Sequence, residues 1–89
     1  MPTIIIDVRE PFEYAAGHVD GAINIPPATL MDGLPSQLKD KPKDTELVLY
    51  CLSGARSSTS AKLLTRYGFT NIVNGINQYH VEATYGDGR

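Results

Sequence analysis

The sequence predicts an α/β domain with a small parallel sheet. Three observations carry that expectation. Short apolar or β-branched runs, Thr3-Ile4-Ile5-Ile6 and Leu47-Val48-Leu49-Tyr50, read as buried strands. Segments of helical length separate such runs, and Gly and Pro punctuate the boundaries. Strand following helix following strand implies right-handed crossovers and a sheet covered on both faces. Ligands of such sheets bind beyond the carboxyl ends of the strands, and Cys51 stands at one of those ends.

The elements follow in order. Residues 3–6 form the first strand. Glu10-Pro11 then opens a helix reaching about Ala16, with Pro11 suited to the first helical position and Gly17 to the exit. Residues 22–25 read as a second short strand, stopped by Pro26-Pro27. Residues 28–38 hold one or two helical turns, interrupted by Gly33 and Pro35. Residues 40–46 form a charged surface loop. Residues 47–50 are the clearest strand and residues 57–67 the clearest helix, with Ala61, Leu64 and Tyr67 inward and Gly68 as its stop. Residues 71–74 give a last strand, followed by Gly75 and a final helix over residues 76–82.

The 89 residues fit one domain, spanning residues 1–89. With 42% hydrophobic and 20% charged residues, the composition is that of an ordinary globular protein. A net charge of −2 offers no electrostatic reason to bind nucleic acid or an anionic membrane. No apolar run approaches the roughly 18 residues of a membrane span. The apolar opening Met1-Pro2-Thr3-Ile4-Ile5-Ile6 meets Asp7 at once and lacks the pattern of a signal peptide. These features favour the cytoplasm.

Cys51 is the single cysteine, so no internal disulfide forms, and the two histidines, His18 and His80, make no metal-site spacing with it. A lone cysteine by itself is more often packing than chemistry. Its surroundings reverse that reading. Cys51-Leu52-Ser53-Gly54-Ala55-Arg56-Ser57-Ser58 runs from strand end through a tight loop into a helix start. Gly54 permits a close turn, successive N–H groups can form an anion-binding nest, and Ser57 or Ser58 can cap the helix. With the guanidinium of Arg56 alongside, each contribution favours thiolate over thiol. Such a thiolate can take the outer sulfur of a donor such as thiosulfate, become a persulfide, and pass the sulfur to cyanide or a thiol. That exchange needs neither metal nor organic cofactor.

The loop Cys51-Leu52-Ser53-Gly54-Ala55-Arg56-Ser57 resembles the Cys-x-x-Gly-x-x-Ser loop of single-domain rhodanese sulfurtransferases. The stretch from Asp7-Val8-Arg9-Glu10-Pro11 through Gly17-His18-Val19 and Gly21-Ala22-Ile23-Asn24-Ile25-Pro26 is similar to the family's first signature. Gly68-Phe69 and Val73-Asn74-Gly75-Ile76 resemble the lead into its final helix. The compact size looks most like the small phage-shock type, which brings in the periplasm as an alternative compartment. The resemblance implies a rhodanese-like three-layer fold, with a small central parallel sheet and helices on both faces. It implies Cys51 as nucleophile, with Leu52, Ser53, Gly54, Ala55, Arg56 and Ser57 as the substrate-binding loop. Its partners would be a small-molecule sulfur donor and acceptor (thiosulfate, cyanide or thiols) or a protein sulfur acceptor, on a monomer or weak dimer. Two departures stand out. The family's usual strand and helix ahead of Asp7 are missing, so the sheet is expected to lack an edge strand. The final signature reads Gly75-Ile76-Asn77-Gln78-Tyr79, without the usual second glycine and Trp.

Plainer readings compete at several positions. Asp7 with Arg9 reads as a structural ion pair and His18 as a satisfied turn residue. His80 has no implied role, and Tyr50 and Tyr79 are packing residues or border the site. Arg56 either holds the sulfonate end of a donor, as a planar cationic fork can, or only sets the local potential. Ser53 adds a hydroxyl donor or fits the turn. A phosphatase or arsenate reductase would share this chemistry, but those loops place five residues between Cys and Arg and this one places four. A non-enzymatic docking module and a protein-to-protein sulfur carrier are the remaining alternatives.

Overall fold

A computed structural model describes residues 3–86; Met1, Pro2 and residues 87–89 lie outside it. Four strands, β1 (Thr3–Asp7), β2 (Ile23–Asn24), β3 (Glu46–Cys51) and β4 (Ile72–Asn77), form one parallel sheet in the order β2-β1-β3-β4. Helices α1 (Pro11–Ala16), α2 (Pro27–Asp32), α3 (Ser36–Lys39), α4 (Ala55–Arg66) and α5 (Gln78–Val81) connect or follow them, and a π-helical turn covers Glu82–Gly86. The expected α/β fold with a parallel sheet is observed.

Alternation along β3 explains the two layers of core. Leu47, Leu49 and Cys51 face one side of the sheet, where they join Ile6, Val8 and Ile25 against Leu30 of α2, Leu38 of α3 and Leu64 of α4. Val48 and Tyr50 face the other side, with Ile5, Val19, Ala22 and Val81 of α5, and Tyr14 of α1 packs against them. Full burial of a Val or Leu side chain contributes about 1.5–3 kcal/mol, so both faces of β3 anchor the fold. The chain moves from β1 to β2 in one direction, then returns past β1 to β3. The sheet order therefore reverses between β1 and β3, and Cys51 lies at the carboxyl end of that junction.

Several boundaries differ from the sequence reading. Helix α4 starts at Ala55, not at residue 57, because Gly54 adopts φ 95° and serves as its N-cap. Ser57 thus lies inside the first turn, and neither it nor Ser58 is the cap. Strand β4 extends to Asn77 instead of stopping at residue 74, because a bulge lets the strand continue. Asn74 pairs with Leu49 and Ile76 with Tyr50, leaving Gly75 as the extra residue. The last helix accordingly starts at Gln78, two residues after the expected start at Ile76.

Gly75 is required by close approach. A Cβ there would fall 2.4 Å from Val81 Cγ2 and 3.1 Å from both the Leu49 carbonyl oxygen and Val48 Cγ1. Gly75→Ala is expected to cost about 1–3 kcal/mol through overpacking, read as a lower urea midpoint with little change in slope. An unchanged midpoint would show that α5 moves away freely.

The turn after β1 is held by a buried polar network. Asp7 Oδ1 accepts from the Arg9 backbone N–H (2.9 Å) and Nε (3.0 Å), and Oδ2 accepts from Arg9 Nη2 (2.7 Å) and the Tyr50 hydroxyl (2.9 Å). Arg9 Nη2 also donates to the Gly17 carbonyl at 2.6 Å, and the Tyr50 oxygen accepts the Val19 N–H at 3.0 Å. Burial first, and then the neighbouring carboxylate, pushes the Tyr50 hydroxyl up to about 12, so it remains protonated and donating. Asp7 and Arg9 are therefore the structural ion pair expected of them, and Tyr50 belongs to the core face opposite Cys51. His18 stacks on the Tyr14 ring at 3.6 Å between centroids, and its Nδ1 hydrogen-bonds the Tyr14 carbonyl at 2.7 Å. It has the structural role expected of it.

Candidate active site

Cys51 is the last residue of β3 and only 2% exposed. The loop turns back at once and enters α4, which places backbone N–H groups around the sulfur. The Gly54 N–H donates to Cys51 Sγ at 3.1 Å, and Ser57 Oγ lies 3.7 Å from the same sulfur. Only a residue tolerating positive φ suits position 54, where glycine carries no penalty.

Burial alone would push the Cys51 thiol up. The backbone N–H of Ser57, together with the N–H groups of Gly54 and Ser53, outweighs it and brings the thiol down to about 7. Near neutral pH about half of such a thiol is thiolate, the nucleophilic form. Alkylation by iodoacetamide is therefore expected to fall as pH drops through a midpoint near 7, as protonation removes the nucleophile. A wild-type midpoint above about 8.5, the ordinary thiol value, would contradict the donor cradle.

A residue that sequence reading missed completes the loop. Asn74 Nδ2 donates to the Gly54 carbonyl at 3.1 Å, while its Oδ1 accepts from Ser57 Oγ at 2.6 Å and from the Ile76 N–H at 3.0 Å. One side chain thus ties the β4 bulge to the sulfur-bearing loop. Its signal in sequence is faint: Asn is unfavourable in strands, and it stands directly before a strand glycine. Next to it, Ile76 holds φ 73°, a strained value for a β-branched residue.

The other predicted loop residues separate into two groups. Gly54 and Ser57 are buried beneath the sulfur, whereas Leu52 (61% exposed), Ser53 and Ala55 form the outer rim. Arg56 does not point free into solvent. Its Nη1 donates to Glu13 Oε1 at 2.7 Å and its Nη2 to Glu13 Oε2 at 3.2 Å, a contact between the loop and α1. Its guanidinium still senses the sulfur, since the Cys51 charge helps raise the Arg56 pKa after the larger effect of the Glu13 hydrogen bond. Tyr79 is exposed, and among the described residues no group of three or more His, Cys, Asp or Glu side chains could hold a metal ion.

Comparison with known proteins gives this geometry a family. A rhodanese-like domain model matches residues 1–80. A rhodanese with anions from E. coli superposes with a TM-score of 0.77 at 30% identity, covering 89% of this chain and 91% of that one. A sulfurtransferase of Allochromatium vinosum is 34% identical over 71 residues, which is 80% of this chain and 63% of that protein. A tRNA uridine(34) hydroxylase of Pectobacterium carotovorum is 32% identical over 82 residues, 90% of this chain. The chain spans only 21% of that longer relative. The family match and the sulfurtransferase relative support sulfur transfer as the general class of chemistry. With a parallel sheet, a cysteine closing its central strand and a match over nearly its whole length, the chain belongs to the rhodanese-like domain family.

Proposed function

We propose that the protein is a sulfurtransferase that carries a sulfane sulfur on Cys51 as a persulfide, taking it from thiosulfate or a similar donor and passing it to cyanide or a thiol. The observation that carries this reading is the Cys51 sulfur at the bottom of a cradle of N–H donors, with its pKa lowered to about 7. The Cys51 thiolate attacks the outer sulfur of thiosulfate. A new S–S bond forms, the old one breaks with its electron pair on sulfite, and Cys51 is left as a persulfide anion. The acceptor then attacks the outer sulfur, and the electron pair returns to Cys51.

The donor cradle assists both steps. The N–H groups that hold the thiolate also stabilise it as the leaving group of the second step, without reorganisation. Near-complete burial of Cys51 restricts attack to a slim, protruding sulfur. The tRNA uridine(34) hydroxylase name describes much longer proteins, and the Cys51 loop favours the sulfur-transfer reading for this chain. A protein acceptor fits the same chemistry, with a partner's thiol in place of cyanide.

Intact-mass spectrometry after brief incubation with thiosulfate tests the reading. The expected result is a gain of about one sulfur mass on Cys51, reversed by cyanide. Loading by other sulfane donors but not thiosulfate would shift the protein to a carrier role. No loading by any donor would favour a docking module.

A further inference from the structure

We infer that Glu13 sets the class of sulfur donor by holding the guanidinium of Arg56, biasing the site against the dianion thiosulfate and toward donors of lower charge. This rests on the sulfur-transfer reading above and deepens it.

Arg56 is the single cationic side chain in the loop of residues 51–57. It lies 43 positions from Glu13 in sequence, yet the two meet fork to fork through Nη1–Oε1 and Nη2–Oε2. The carboxylate is itself fixed, because Glu13 Oε1 also accepts the Glu10 N–H at 2.9 Å, reaching back over the start of α1. The hydrogen bond from Arg56, and then that from Glu10, holds the Glu13 carboxyl down to about 2. It is therefore ionised throughout the working range of the enzyme.

Two consequences follow for a donor approaching Cys51. The fork that best matches a sulfonate is already occupied by a carboxylate, whose charge offsets that of Arg56. Thiosulfate brings two negative charges to a site that already holds the Cys51 thiolate and Glu13. A monoanionic thiosulfonate meets less repulsion while presenting the same outer sulfur. With methanethiosulfonate the step balances as before: Cys51 Sγ bonds the outer sulfur, and the donor S–S bond breaks with its electron pair on methanesulfinate. No external oxidant or reductant takes part. Glu13 is a positioning residue in this scheme, acting on the donor through Arg56.

The test is steady-state sulfur transfer to cyanide from thiosulfate and from methanethiosulfonate, in wild type, E13Q and the E13Q/R56Q double variant. E13Q should lower KM for thiosulfate roughly ten-fold, the size of one freed charge-assisted contact, and KM for methanethiosulfonate by less than about three-fold. Adding R56Q should erase that gain. The pH midpoint of Cys51 alkylation should move down in E13Q, since the thiolate then faces an unneutralised guanidinium. E13A serves as a second variant, expected to give the same shift with no amide in the place of the carboxylate. An unchanged ratio of the two KM values, or a parallel rise in both, would overturn the inference while wild-type sulfur loading kept the enzyme reading intact. Failure of wild type to load sulfur from either donor would remove both.

Discussion

Replacing Cys51 by serine is expected to abolish sulfur loading and to cut transfer from thiosulfate to cyanide by at least about three orders of magnitude. The substitution removes the only atom in the loop able to form a persulfide. A serine hydroxyl stays protonated near neutral pH, so the N–H donors around position 51 find no anion to stabilise. The fold should survive. Serine is no larger than cysteine, and the Gly54 N–H retains an acceptor at that position. The measurement is the cyanide-dependent rate beside intact mass and a thermal melt. A Cys51→Ser protein that kept full activity would sink the persulfide mechanism. A melt that collapsed together with activity would instead make Cys51 a packing residue of the core.

The second large effect concerns stability. Asp7→Ala should destabilise the domain by about 3–5 kcal/mol, because it strands a charge that folding has buried. Arg9 is only 7% exposed, and Asp7 supplies the acceptors for its backbone N–H, Nε and Nη2. Without them the guanidinium keeps the Gly17 carbonyl, and the Tyr50 hydroxyl loses its acceptor. For a domain of this size the corresponding fall in melting temperature exceeds about 12 °C. That is a large part of the 5–15 kcal/mol typical of total stability. A fall of less than about 4 °C would mean that water or a shifted Arg9 replaces the carboxylate. The effect should reach the site only through the fold, since Tyr50 faces the layer of core opposite Cys51.

Both predictions rest on residues that were legible beforehand. Cys51 was readable because strand end, glycine, arginine and serine are neighbours in sequence, and the chemistry of a lowered thiol pKa is local. The Asp7–Arg9 pair was readable for the same reason, being two residues apart on one turn. Ser57 was read as a possible cap of α4, whereas it lies inside the first turn of that helix. Whether Gly54 or Ser57 caps α4 depends on the backbone angle at position 54, which composition does not reveal. The end of β4 was misplaced because Gly75 reads as a strand stop, whereas it is the extra residue of a bulge seated under Val81. The donors expected around the sulfur are present, and the Arg56 fork is paired with Glu13.

By itself the sequence determined the alternation of strands and helices, the two-faced burial of β3 and the position of Cys51 at a strand end. Each of these follows from periodicity and turn chemistry within a dozen residues. The tertiary structure decided the strand order β2-β1-β3-β4, and with it the company the loop keeps. That order sets β3 between β1 and β4, so Glu13 from the helix after β1 reaches Arg56, and Asn74 from β4 reaches Gly54 and Ser57. Pairing among strands is a choice between competing burials of similar apolar runs. Its outcome fixes contacts across 17 to 43 residues of chain that no local pattern encodes.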